Sequence, residues 1–186
     1  MPRQDLPVTS YALLGLLTFG DELTGYELKQ RADNTLRFYW SAPAMSQVYS
    51  ELTRLTGHRL VKALRGEPTR YRITAAGRRR LERWMRETPA GFPVLKHPVA
   101  LRLLMGHVVD TAETVAMLEE YATEVRAQRA ELQAVRDSLA GRDAPGEAFR
   151  NPALVADWGL AYYDSEAEIT ARTLERLATE QPGEER

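Results

Sequence analysis

The chain contains no cysteine. That excludes disulfide cross-links, thiolate metal sites and cysteine nucleophiles. It has only three histidines, His58, His97 and His107. None of them stands at the tight spacing of a zinc-binding helix, so no metal or other cofactor is expected. No apolar run approaches the roughly 18 residues of a membrane span. The opening MPRQDLPVTS lacks a cationic start followed by a long apolar stretch and a cleavage site, so a cytoplasmic protein with no membrane partner is expected. There is no glycine-rich phosphate loop and no nucleophile elbow, and an enzyme is not expected.

What is present is a hydrophobic fraction of 44% over 186 residues, enough to bury a core. The net charge of −1 conceals an asymmetry. Residues 1–88 hold 15 Lys and Arg against 9 Asp and Glu, a balance of +6, and residues 89–186 hold 10 against 17, a balance of −7. A basic half suited to a polyanion is thus joined to an acidic half with another task.

TSYALLGLLTFG predicts a first helix, with Thr9 or Ser10 as N-cap and Gly20 as its stop. A second helix is expected from about Thr24, with Tyr26, Leu28 and Leu36 as core contacts. SAPAMSQVYSELTRLTGHR predicts a third, capped by Ser41, with Pro43 in its first turn and Gly57 at its end. Val48, Leu52 and Leu55 form its apolar stripe, and Ser46, Gln47, Ser50 and Arg54 lie opposite. Two short segments then flank Gly66-Glu67-Pro68, and in the second Tyr71 and Ile73 alternate with Arg70 and Arg72. This is a hairpin with its charges outward. Thr74 is placed to cap a fourth helix, on which Leu81, Trp84 and Met85 share a face.

Helix, helix, helix, hairpin, helix is the order of a winged helix-turn-helix. The fold class is therefore mainly α, an N-terminal winged helix with a two-stranded wing over residues 1–90 and an all-helical domain over 91–186. TPAGFP reads as the linker. Beyond it, HPVALRLLMGHVV predicts a short helix, and Asp110 or Thr111 opens a long one reaching about Ala140. Leu118, Val125, Leu132 and Leu139 recur at sevens, with Tyr121 and Val135 offset by three and Gln128 interrupting the seam. The last helix is expected from near Pro152 with Asn151 as cap, carrying one stripe of Trp158, Tyr162 and Ile169 and another of Leu160, Tyr163, Ala167 and Leu174. Two stripes imply packing on two sides, one of them against a second subunit. The expected dimer interface is Leu118, Tyr121, Val125, Leu132, Trp158, Tyr162 and Ile169.

ALLGLLTFGDELTGYELKQ, FYWSAPAMSQVYSELTRL and PTRYRITAAGRRRL, in that order, closely resemble PadR-family transcriptional regulators, and the acidic half resembles the version with an extended helical tail. The likeness is strong over roughly residues 8–86 and architectural beyond Pro98. It implies a dimeric, ligand-responsive repressor whose C-terminal helices join two subunits and whose effector alters the spacing of two DNA heads. One departure concerns the turn before the wing, where the family usually has glycine and this chain has Arg59.

The expected partner is double-stranded operator DNA. On the third helix, Ser46, Gln47, Ser50 and Arg54 are candidates for base edges or phosphates. Tyr49 either reaches a phosphate or packs between helices. On the wing, Lys62, Arg65, Thr69, Arg70 and Arg72 are candidates for the backbone, with Arg65 and Arg70 leading. Arg78 to Arg80 place cations where a helix dipole disfavours them, which points to phosphate or to carboxylates of the acidic half. Trp40, Arg102, Trp158 and Tyr162 are candidates for a pocket taking a small aromatic or amphipathic effector, although such aromatics more often serve core or interface packing. The alternative function is a dimeric helical adaptor whose basic head binds an acidic protein.

Overall fold

A computed structural model describes residues 6–20, 22–93 and 96–179. The chain divides into two units, Met1–Phe92 and Pro93–Arg186. The first contains α1 (Val8–Leu16), β1 (Leu23–Thr24), α2 (Gly25–Asp33), α3 (Met45–Gly57), β2 (Val61–Leu64), β3 (Arg70–Ile73) and α4 (Ala75–Glu87). The second contains α5 (Pro98–Leu104), α6 (Thr111–Ser138) and α7 (Arg150–Thr179). Residues 88–93 between them have no regular structure.

In the first unit, Leu13, Leu14 and Leu17 from the α1 segment meet Leu28 of α2 and Val48, Leu52 and Leu55 of α3, all buried. Each such side chain contributes roughly 1.5–3 kcal/mol relative to exposure. Gly20 ends the first helical segment in the left-handed conformation, φ 95°. Thr24 caps α2 with a reciprocal pair of bonds: its hydroxyl accepts the Glu27 N–H at 3.1 Å, and Glu27 Oε2 accepts the Thr24 N–H at 2.8 Å. The apolar side of α4 returns to α1, where Trp84 stacks on Tyr11 with centroids 4.7 Å apart, a pairing worth about 0.5–1.5 kcal/mol beyond burial. Arg80 Nε donates to the Tyr11 hydroxyl at 3.1 Å, so one of the three clustered arginines serves this packing.

Several local expectations are corrected. The first helix starts at Val8, after Pro7, and Ser10 lies fully buried inside it rather than capping it. Ser41 and Pro43 precede α3. Its N-terminus is closed by Gln47, whose Oε1 accepts the Ala44 N–H at 3.3 Å. Tyr26 and Met85 point outward, 58% and 70% exposed. The wing sheet has three strands in the order β1-β3-β2, all antiparallel, not two. Leu23 pairs with Tyr71 and Thr24 with Arg70, so the residue that caps α2 also ties it to the wing.

In the second unit, Asp110 precedes α6, its N–H donating to Glu113 Oε2 at 3.2 Å. α6 and α7 run antiparallel, as the ion pairs Arg129–Asp164 and Arg136–Asp157 require. Leu118, Val125 and Leu132 are each at most 3% exposed within the single chain. Leu132 packs on Gly159 of α7, whose buried face also carries Ala153 and Ala156; α7 begins at Arg150, ahead of the expected Asn151 cap. A Cβ on Gly159 would lie 2.6 Å from Leu132 Cδ2, which measures how closely the helices approach. This bears on three of the seven residues expected at the dimer interface. Leu118, Val125 and Leu132 are covered by their own chain and have no surface left for a partner. The large stripe of α7 is the outer one: Leu154, Trp158, Tyr162 and Ile169 are 55%, 78%, 45% and 46% exposed.

Candidate nucleic-acid interface

The apolar stripe of α3 is anchored in the core, so its opposite face is fixed toward solvent. Ser46, Gln47, Tyr49, Ser50 and Arg54 are all exposed there. Gln47 spends its carbonyl on the helix N-terminus and keeps its amide NH2 for an outside acceptor. Tyr49 covers the start of α2: a Cβ on Gly25 would sit 2.5 Å from its ring, so glycine is needed for that ring to pack. Arg54 is half-exposed, and its Nε lies 3.4 Å from Oε1 of Glu51, whose side chain is buried.

The turn from α3 into the wing is a hydrogen-bonded reversal. Arg59 takes the left-handed conformation, φ 59°. The Leu60 N–H reaches the Leu55 carbonyl at 2.9 Å and the Arg59 N–H reaches Thr56 at 2.9 Å, which is the Schellman arrangement. An arginine therefore adopts the backbone for which glycine is favoured, and the wing leaves α3 by the usual turn at a conformational cost of about 1 kcal/mol. Thr74 then clamps the same point. Its hydroxyl donates to the Arg59 or Leu60 carbonyl, at 2.9 and 3.0 Å, and accepts the Gly77 N–H. Its own N–H bonds Leu60 O at 3.0 Å.

The wing arginines divide. Arg70, expected to lead the contacts, donates to the Glu22 carbonyl at 2.5 Å and lies 3.4 Å from Glu27 Oε2. Arg72 pairs with Glu22 Oε1 at 3.2 Å. Glu27 is held below the ordinary carboxylate range, first by the Thr24 N–H, then by the Thr24 hydroxyl and the charge of Arg70. These two arginines thus fasten the wing to β1 and the start of α2. Lys62 and Arg65 are exposed, and among the described residues neither makes an ion pair. With Thr69 they form the uncommitted part of the wing.

Sequence reasoning missed two buried carboxylates. Glu51 lies on the apolar stripe of α3 and accepts a short bond from the Ser10 hydroxyl. Glu166 of α7 accepts from Tyr121 at 2.7 Å and from His97 Nε2 at 2.9 Å. His97 also caps α5, its Nδ1 accepting the Ala100 N–H at 3.1 Å, which assigns the Nε2–H tautomer. Burial pushes the Glu166 carboxyl up, but the bonds from His97 and Tyr121 outweigh it and hold the group below its ordinary value. Tyr121, expected at a dimer interface, is thereby tied into its own chain. The signal for both carboxylates was a Glu at helical spacing among apolar or small residues.

Of the expected effector residues, Trp40 belongs to the first unit and Arg102, Trp158 and Tyr162 to the second. Arg102 is exposed on α5, and Tyr162 meets Tyr163 edge-on at 5.7 Å.

Residues 13–83 match the family described as Transcriptional regulator PadR-like family. Residues 95–178 match the one described as Virulence activator alpha C-term. The first unit thus carries a PadR-like domain. No curated protein matches it. Among solved structures, the PadR-like transcriptional regulator BC1756 from Bacillus cereus is 23% identical with a TM-score of 0.79, over 92% of this chain and 99% of that one. Bacillus subtilis PadR in complex with operator DNA is 21% identical with a TM-score of 0.78, over 92% and 99%. The same protein in complex with p-coumaric acid is 22% identical with a TM-score of 0.76, over 92% and 99%. At these identities the likeness establishes a PadR-like fold.

Proposed function

We propose that this protein is a cytoplasmic, homodimeric transcriptional regulator that represses by binding operator DNA, and that a small molecule releases it. Residues 1–90 serve as the DNA-binding domain and residues 91–186 as the dimerisation and effector domain. The reading rests on one arrangement: a polar face of α3 held outward by its own core stripe, followed at once by a wing with free cations at Lys62 and Arg65. A helix of this kind enters a major groove, where the Gln47 NH2 donates to a base acceptor such as adenine N7 and Arg54 pairs with guanine. Lys62, Arg65 and Thr69 take phosphate or sugar oxygens alongside. Arg70 and Arg72 support the wing, and contribute to DNA only by exchanging Glu22 and Glu27 for phosphate. The exposed Leu154, Trp158, Tyr162 and Ile169 of α7 join the two subunits, placing the heads on half-sites roughly 34–36 Å apart or a multiple of that. Bacillus subtilis PadR has been solved both with operator DNA and with p-coumaric acid, which supports an operator and a small aromatic effector here.

The test is binding to the protein's own promoter at several salt concentrations. Gln47→Ala changes the preferred sequence. Lys62→Ala and Arg65→Ala each weaken binding to all duplexes and lower the salt slope by about 0.9 per lost contact. Binding that fails to distinguish promoter from random duplex, with all three variants unchanged, overturns the proposal.

A further inference from the structure

We infer that Glu51 is a specificity-determining positioning residue, a buried carboxylate that Ser10 holds from behind and that sets the pose of Arg54 on the exposed face of α3. The inference rests on the reading of α3 as the DNA-contacting helix.

Glu51 is 6% exposed, between Val48, Leu52 and Leu55 on the core side of the helix. An ionised carboxylate there is costly, and an apolar residue of similar volume would often serve stability as well or better. Its two oxygens are divided. Oε2 accepts from Ser10, itself fully buried on α1. Oε1 faces Arg54 Nε at 3.4 Å, one turn along α3. The acid is thus oriented by the core, and the arginine is oriented by the acid. Contact through Nε leaves the two terminal nitrogens of the guanidinium as a paired donor edge, the geometry that reads O6 and N7 of guanine. A free arginine samples many rotamers and suits any phosphate; one steered at Nε has a narrower set of poses, and so favours a directional partner over a diffuse charge.

The experiment uses the full chain and a duplex selected by it from a random library, with every base pair then varied singly. Wild type is expected to show a guanine preference that Arg54→Ala abolishes. Glu51→Gln, close to isosteric, is expected to keep the salt slope and to lose about tenfold in discrimination at that same base pair, the lower range for a two-bond arginine contact. In the Arg54→Ala background, Glu51→Gln is expected to have no further effect on base preference. Ser10→Ala, which removes the donor behind the carboxylate, is the second variant and shifts preference in the same direction if Glu51→Gln does not fold. The inference is overturned if wild type and Arg54→Ala differ as expected while the Glu51 and Ser10 variants that fold read the same base as wild type. It is overturned equally if Glu51→Gln alters preference without Arg54. Failure of wild type to select any duplex would instead sink the DNA-binding reading, and this inference with it.

Discussion

Gly77 gives a stringent test of how the first unit is built. It sits in the first turn of α4, and a Cβ there would lie 2.2 Å from the Leu60 carbonyl oxygen and 2.8 Å from Ile73 Cγ1. A carbon–oxygen contact needs roughly 3.3 Å, so Gly77→Ala must move backbone by about 1 Å. The carbonyl to be moved accepts both the N–H and the hydroxyl of Thr74. Overpacking costs about 1–3 kcal/mol, and each strained hydrogen bond adds roughly 0.5–1.5 kcal/mol. Alanine's better helix propensity returns up to about 1 kcal/mol. The expected net loss is about 3 kcal/mol, a fall of roughly 6–12 °C in Tm for a chain of this length. Far-ultraviolet circular dichroism during heating measures it. Gly159→Ala is the control. Its Cβ would meet Leu132 Cδ2 at 2.6 Å, but that is the tip of a side chain that can rotate, and the cost should stay within about 1 kcal/mol. A Gly77→Ala protein that melts within about 2 °C of wild type, under the conversion just used, or a Gly159→Ala protein that falls as far, refutes this account of the two helix contacts.

Three further predictions follow from the same geometry. Arg59→Gly relieves a left-handed residue and should stabilise the chain by about 1 kcal/mol in denaturant unfolding, whereas Arg59→Ala should gain nothing. Glu166 is held below its ordinary value in the folded chain, so its contribution is complete above the unfolded carboxylate range and is lost as pH falls through the lower folded value. Glu166→Gln should therefore cost about 1.5–3 kcal/mol near neutral pH, and the difference from wild type should shrink below about pH 4.5, the reference value for the group, when melting is followed against pH. Trp158→Ala removes the most exposed aromatic of the α7 stripe and should weaken self-association by about 2 kcal/mol or more, a roughly thirtyfold rise in the dimer Kd by sedimentation; an unchanged Kd would remove that stripe from the interface.

The stretches most legible in the sequence were those where one local rule acts alone. The Val48, Leu52 and Leu55 stripe, the start of the second helix near Thr24, the Thr74 cap and the hairpin around Gly66 all follow from spacing or turn chemistry, and all are found in the structure. What was missed depended on partners distant in sequence. β1 is two residues long and exists only because β3 lies beside it. Ser10 reads as a cap until Glu51, 41 residues away, claims its hydroxyl. In α7 the large aromatics drew attention to one face, while Ala153, Ala156 and Gly159 marked the face that meets α6. Size was the misleading cue, because close helix approach is set by the smallest side chains. The charges of Arg70 and Arg72 were visible, but their neutralisation by Glu22 and Glu27 was not.

The Leu60 carbonyl is a single joint shared by three moving parts. The helix that would read bases ends there, the wing departs from it, and the fourth helix is bolted to it through Thr74 with no room for a methyl group at Gly77. Those parts therefore have no independent play. A displacement of α4 therefore carries α3 and the wing with it, and leaves the inner geometry of the first unit intact.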